Sequence, residues 1–255
     1  MYWRDGHPQL EQYWAPPPPN DGPPPTTQEL SEILENAVAE HLVSDVPVAA
    51  FLSGGLDSTA ISSWARSHLA SPMKSFCLEF GTHHDETTHA KMASDKLGLE
   101  FHSVQMDPTA FQNLEKVIWH LDEPIGDAIA VATYILASEA SQHSKVVLTG
   151  EGADEIFGGY IHHRAIRTAD LLNSAGMGQI ISRMSHLVKL IPSNFLSKGF
   201  PYPGVIGDAG KTRIQDLVGS MATTDTLYRN LTQIFNHREL SHLYTDQFMA
   251  EISDS

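Results

Sequence analysis

The sequence predicts an α/β fold: a mainly parallel sheet with helices on both faces, followed by a helical extension. Three observations carry this. Short apolar runs alternate with stretches of helical period between residues 46 and 148. Two loops rich in glycine, serine and acid, SGGLDST (53–59) and TGEGADEIFGGY (149–160), each follow such an apolar run, where a buried strand ends. After Tyr160 the strand-like runs stop and only helical patterning continues.

Taken in order, residues 1–27 form an N-terminal arm and proline-rich linker. APPPPNDGPPP (15–25) can neither pair as a strand nor continue a helix, because proline lacks the N–H and fixes φ. It reads as a stiff surface arm in preference to a docking ligand for a proline-reading partner. Thr27 is placed to cap a helix over 28–44, with Leu30, Ile33, Leu34, Ala37, Val38 and Leu42 on one face. VPVAAFL (46–52) then precedes a helix near 57–70, and KSFCLEF (74–80) one near 85–97. LEFHSVQ (99–105) is followed by helices near 108–121 and 127–143, and KVVL (145–148) completes the series. The spacing does not give the strand order. Helical stretches at 160–190 and 211–250 flank a break rich in glycine and proline, so the chain divides into the arm, a core over 28–160 and a helical extension over 161–255.

A chain of 255 residues, 41% hydrophobic and 18% charged, is that of a soluble globular protein. No apolar run approaches the roughly 20 residues of a membrane helix, and the N-terminus lacks the apolar stretch of a signal peptide. The single cysteine, Cys77, excludes internal disulfides and multi-thiolate metal sites, and points to the cytoplasm. Sixteen basic against 31 acidic side chains give −15, the wrong sign for an extended nucleic-acid surface.

The chemistry lies in the two loops. Gly54 and Gly55 allow a tight turn with backbone N–H groups facing an anion. Ser53, Ser58 and Thr59 add hydroxyls, and the helix beginning here presents its positive end to phosphate. Asp57 is informative because a carboxylate beside phosphates repels them unless Mg²⁺ lies between. The loop lacks the GxxxxGK[ST] pattern and its lysine, so it is not an ordinary P-loop. In the second loop Asp154 can be a second Mg²⁺ ligand, and Glu151 is an acid at the strand tip. Glu155 falls inside the following helix, where it complements the dipole. Two carboxylates on Mg²⁺ would hold the β- and γ-phosphates of ATP as leaving group, which suits adenylation of an acceptor carboxylate.

These residues resemble the synthetase domain of glutamine-dependent asparagine synthetases, within the Rossmann-like ATP-pyrophosphatase superfamily. SFCLEF (75–80), DETTHAKMASDKLGLEFH (85–102) and LDEPIGDAIAVATYILA (121–137) extend the likeness over nearly all of 28–160, and GHPQLEQYW (6–14) resembles the join out of that family's glutaminase domain. SGGxDS is shared with other synthetases of the superfamily, whereas GEGADEIFGGY is much narrower. The resemblance implies that Asp57 and Asp154 hold Mg²⁺–pyrophosphate and that Ser53, Gly54, Gly55 and Ser58 form the pyrophosphate loop. It places AMP against Phe51, Leu78, Thr149 and Gly150, and Glu151 next to the acyl-adenylate and incoming ammonia. Thr149 replaces the usual serine and keeps the hydroxyl. The implied reaction joins aspartate and ammonia at the expense of ATP, giving asparagine, AMP and pyrophosphate.

Two departures limit what carries over. The family's glutaminase uses a cysteine directly after Met1, where this chain has Tyr2, and Cys77 sits inside a strand pattern as a core residue. Ammonia would then come free or from a separate glutaminase domain or subunit. The family also carries a lysine at the transferring phosphorus in a later segment, and Lys189, Lys198 and Lys211 are not in matching surroundings. The expectation is a fragment that binds nucleotide and catalyses poorly, since losing one preorganised cation costs roughly 10²–10³ in rate. Two other readings keep the adenylation: a ligase for a different acceptor, as in β-lactam synthetases and lasso-peptide cyclases, or an inactive nucleotide-binding remnant.

Several smaller features are read as structural. His83, His84, Asp85 and His89 read as a solvated loop entering a helix rather than as a metal site. His162 and His163 read as exposed. Asp127 reads as a helix cap in an acidic loop with Asp122 and Glu123, with an ammonium path as the other reading. Tyr160 either borders the acceptor pocket or packs as an aromatic.

Overall fold

The computed structural model describes residues 2–4, 6–18, 22–81, 86–123, 125–192, 208–235, 237–245 and 247–248. The chain divides into two compact units, Met1–Gly150 and Glu151–Ser255.

The first unit is built on a four-stranded parallel sheet of order β5-β4-β3-β6, where β3 is Val48–Phe51, β4 Lys74–Glu79, β5 Glu100–Gln105 and β6 Val146–Leu148. Parallel pairing requires a crossover between strands. The helices α1 (Thr27–His41), α2 (Leu56–His68), α3 (Thr87–Leu97), α4 (Leu114–Leu121) and α5 (Ile129–Ser141) alternate with them as the patterning predicts. β3 is shorter than the apolar run that announces it, because Pro47 has no N–H to donate and its carbonyl is taken by the Ser144 hydroxyl. The cap of α1 is Thr26, not Thr27: Thr26 Oγ1 accepts from Glu29 N, and the Glu29 carboxylate accepts from Thr26 N at 2.8 Å. The helix expected near 108–121 begins as a 3₁₀ turn, Pro108–Asn113, opened by Asp107 accepting from Thr109 N at 2.7 Å, and becomes α-helical only at Leu114. Ahead of the linker, β1 (Tyr2–Arg4) and β2 (His7–Gln9) make a small antiparallel hairpin around Gly6, which the sequence did not announce.

Strand residues alternate between two cores. Ala50, Leu52 and Cys77 face Val38, Ala65 and Ala90 of α1, α2 and α3, whereas Ala49 and Phe76 face Ala140 of α5, with Phe51, Leu78 and Val147 packed on the same side. Cys77 is thus a core side chain, as its strand position suggests. The small side chains of β3 let helices approach both faces of an interior strand. A third cluster, Ala110, Val117 and Val131, joins the 3₁₀ turn, α4 and α5. Buried hydroxyls close the α3–β4 contact: Ser75 and Ser94 share a hydrogen bond of 3.1 Å, and Ser94 also donates to Leu99 O.

The second unit is helical: α6 (Ala153–Phe157), α7 (Ile161–Ser174), α8 (Gly178–Arg183), a 3₁₀ turn Ser185–Leu190, α9 (Asp208–Ser220), α10 (Thr224–Thr232) and α11 (His237–Leu243). Val188, Ile214 and Val218 form its core. Asn173 Nδ2 donates to Met221 O at 2.9 Å, and Thr224 Oγ1 to Asp170 Oδ1 at 2.8 Å, tying α7 to the start of α10. Most of the break between 191 and 210, including Lys198, lies outside the described residues.

Candidate functional site

In the first unit the loop after β3 is closed by its own serines. Ser53 N donates to Ser58 Oγ at 3.3 Å, the two hydroxyls lie 3.0 Å apart, and Gly55 N donates to Ser53 Oγ at 3.2 Å. The two hydroxyls thus take up the Ser53 and Gly55 N–H groups and fix the turn. Gly55 is the N-cap of α2 with no side-chain cap, so the positive end of a 13-residue helix stands open, with Asp57 in its first turn.

Two glycines permit this geometry. Gly54 has φ +78, and a Cβ there would sit 2.5 Å from Ala90 N and 2.6 Å from His89 C, so the loop is pressed against the first turns of α3. At Gly150, beyond β6, a Cβ would fall 2.8 Å from Ser58 N. The second loop thus meets the first directly, backbone against the start of α2. Phe51 and Leu78 pack in one cluster at the ends of β3 and β4. Ala50 lies opposite Leu148, so Thr149 follows one residue on, beside Phe51. The structure thus gathers Phe51, Ser53, Gly54, Gly55, Asp57, Ser58, Leu78, Thr149 and Gly150 at one end of the sheet. Thr59 is different: its Oγ1 is buried without a hydrogen-bond partner among the described residues, so it adds no donor to the loop.

The rest of the second motif opens the second unit. Asp154 and Glu155 lie in the first turn of α6, a helix of five residues with no buried side chain. Gly158 ends it at φ +68, and Gly159 N donates to Asp154 O at 3.0 Å. A Cβ on Gly159 would collide with the Asp154 carboxylate. Tyr160 Oη donates to Glu155 Oε1 at 2.8 Å, so its hydroxyl is engaged by a neighbouring carboxylate. That bond holds the Glu155 carboxyl below the usual carboxylate range. The Tyr160 hydroxyl is held above its ordinary value by the same bond, then by burial and by the charges of Glu155, Asp154 and Glu151. The Tyr160 ring stacks on His162 at 5.0 Å and lies 5.7 Å from His163. Both histidines are half-buried rather than exposed, because the aromatic stack covers them.

Asp127 accepts from Ile129 N at 3.0 Å, the capping geometry, and Asp122 ends α4 at φ 59. His83, His84 and Asp85 lie outside the described residues. No group of three or more histidine, cysteine or acidic side chains is placed to hold a metal among the described residues. Mg²⁺ does not need such a cage: it takes one or two carboxylates and completes its shell with phosphate oxygens and water. Asp57, in the first turn of α2, and Asp154, in the first turn of α6, are each a carboxylate of the kind such a shell takes, one in each unit. A groove of about 620 Å³ along β5, α4 and α5, lined by Gln105, Lys116, Tyr134 and Glu139 among others, shares no residue with the loops. Sequence reasoning missed the approach of Gly54 to α3 and the Tyr160–Glu155 bond. An S/G turn carries no signal for the first, and Glu-x₄-Tyr only a faint one for the second.

A parallel α/β sheet with a glycine–serine loop and an open helix N-terminus at the end of an interior strand defines a Rossmann-like domain. The chain belongs to the asparagine synthase family, whose family model matches residues 29–236. It is 41% identical over 139 residues to asparagine synthetase [glutamine-hydrolyzing] 1 of Bacillus subtilis, covering 54% of this chain and 22% of that protein. A putative asparagine synthetase 2 of Methanocaldococcus jannaschii is 38% identical over 138 residues, covering 53% and 27%. Amidase chry2 of Gibberella zeae is 36% identical over 156 residues, covering 54% and 23%. The chain therefore spans about a quarter of the length of these relatives. Among solved structures, NMN synthetase from Francisella tularensis is 19% identical with a TM-score of 0.39, covering 53% of this chain and 59% of that one. No helix among the described residues is long and apolar enough to cross a membrane.

Proposed function

We propose that this chain carries the adenylating core of a cytoplasmic, asparagine synthetase-type carbon–nitrogen ligase. One observation carries the reading: the Ser53–Ser58 loop lies under the open N-terminus of α2, at a strand end where only glycine fits at 54 and 150. In this reading Ser53, Gly54, Gly55 and Ser58 hold the pyrophosphate portion of ATP, and Phe51, Leu78, Thr149 and Gly150 hold the AMP portion. The aspartate side-chain carboxylate attacks the α-phosphorus, the bond to the β-phosphate breaks, and pyrophosphate leaves. Ammonia then attacks the acyl carbon of β-aspartyl-AMP, AMP leaves, and asparagine forms.

Asp57 and Asp154 would each offer a carboxylate to Mg²⁺, which when bound supplies charge neutralisation to the phosphates. Glu151, exposed at the start of the second unit, takes the acyl-transfer side, where a carboxylate accepts a proton from the incoming amine. The ammonia is free or delivered by a glutaminase domain or subunit. The test is pyrophosphate release by the chain with ATP, Mg²⁺, ammonia and a panel of carboxylate acceptors. Aspartate-dependent release with asparagine formed is expected. Release that depends on another acceptor, or ATP binding with no release under every condition, overturns the assignment. Asp57→Asn is expected to weaken Mg²⁺-dependent ATP binding by about 10-fold or more, read by calorimetry.

A further inference from the structure

α6 has nothing of its own to hold it. Five residues are far below the length at which a helix persists in water, none of its side chains is buried, and its N-cap, Gly152, offers no side-chain bond. Yet it carries Asp154. What fixes it, among the described residues, is its C-terminal turn and one side-chain tie. Gly158 N and Gly159 N both donate to Asp154 O, which sets the backbone of the turn. The Tyr160 hydroxyl reaches back over this turn to Glu155 at 2.8 Å. Tyr160 is itself anchored, as the N-cap residue of the 14-residue α7, with its ring stacked on His162 of the first turn. The order of support runs from α7 through the Tyr160 ring and hydroxyl to Glu155, and from there to the adjoining Asp154.

We propose that Tyr160 is a positioning residue for the Asp154 carboxylate, acting through its hydrogen bond to Glu155. The proposal rests on the reading above that Asp154 faces Mg²⁺ and the phosphates of ATP. Neither Tyr160 nor Glu155 touches nucleotide in this account. Their effect is to keep α6 from rotating or fraying, so that the Asp154 side chain stays lodged against Gly159, where no Cβ is tolerated without moving it. A partner that orients a ligating carboxylate contributes to metal affinity without being a ligand.

The experiment is calorimetric titration of ATP into the full chain at a series of Mg²⁺ concentrations, and without Mg²⁺. Tyr160→Phe removes the hydroxyl and keeps the stack. It is expected to raise the Mg²⁺ concentration needed for half of the metal-dependent gain in ATP affinity by about 10-fold, leaving metal-free ATP binding unchanged. Glu155→Ala should give the same shift, and the double variant no more than either single one, because both break one bond. Glu155→Gln keeps an acceptor for the tyrosine hydroxyl and should restore most of the affinity. A loss of metal-free binding equal to the metal-dependent loss identifies a merely structural role and overturns the proposal. So does a Tyr160→Phe protein that titrates like the parent while Asp154→Asn does not. If Asp154→Asn itself titrates like the parent, the assignment of Asp154 is what fails, and this proposal falls with it.

Discussion

At position 54 the absence of a side chain is a double requirement. The backbone is left-handed, at φ +78, and the space a Cβ would take is already occupied by the backbone of His89 and Ala90. A flexible neighbour could yield, but the first turns of a helix cannot do so without moving α3. Gly54→Ala therefore carries the cost of a left-handed non-glycine residue, about 1–3 kcal/mol, and a steric displacement besides. The expected outcome is a lowered urea midpoint together with loss of ATP binding by calorimetry. A variant that binds ATP with parental affinity would show that the loop does not have to press against α3. The glycines themselves were legible, because SGGLDST after an apolar run announces a tight anion-facing turn. The identity of the crowding atoms was not, since residues 54 and 89–90 meet only through the fold. The same holds for Thr59, whose hydroxyl is suited by type to a phosphate loop and is instead buried.

Among the elements, α1 shows how a cap sets a boundary. TTQE contains two threonines, and only Thr26 stands three residues before Glu29, the spacing of a capping box. The Thr26 N–H and then the Thr26 hydroxyl donate to the Glu29 carboxylate and hold it below its ordinary value of 4.5, so the stabilisation from these two bonds is present above that pH and fades as pH falls through the folded value. Thr26→Ala is expected to lower stability by about 1 kcal/mol, whereas Thr27→Ala should be nearly silent. Denaturant unfolding of the two variants side by side decides which residue is the cap. The alternating strands and helices of the first unit could be read because period and propensity agreed in each. The hairpin of β1 and β2 could not, as three-residue strands containing Pro8 carry neither signal. The 3₁₀ start of the helix after β5 was hidden for a related reason, because its apolar spacing resembles that of an α-helix closely over one turn. α6 was legible only through its glycines, since a five-residue helix is too short for any periodicity.

At the scale of the whole sheet, the two faces are sealed differently. The α1–α3 side is closed by a cluster of small and aliphatic side chains with Trp64 and Phe101 packed against it, whereas the α5 side ends in a stack of rings, Phe76, His102 and His143, with centroids 5.0 to 5.7 Å apart. Lys74 Nζ lies 3.3 Å from His143 Nδ1, and Glu139 is 3.7 Å from the other nitrogen of that ring. His102 is held below its ordinary value of 6.5, first by burial, then by the charges of Lys74 and His143, against the opposing pull of Glu100 and Glu139. A histidine depressed in the folded state takes up its proton more readily when unfolded, so the sign is fixed: stability falls as pH drops through 6.5 toward the folded value, and levels off below it. The chain carries 14 histidines, so the comparison must be made against a variant that removes this one alone. His102→Phe keeps a flat ring on Phe76 and has nothing to protonate. Urea unfolding followed at about pH 7.5 and about pH 5.5 should show the parent losing more stability on acidification than His102→Phe does. Equal losses in the two proteins would mean that the ring stack is indifferent to charge. A larger loss in the variant would reverse the sign and place the protonated His102 among the groups that favour the folded sheet.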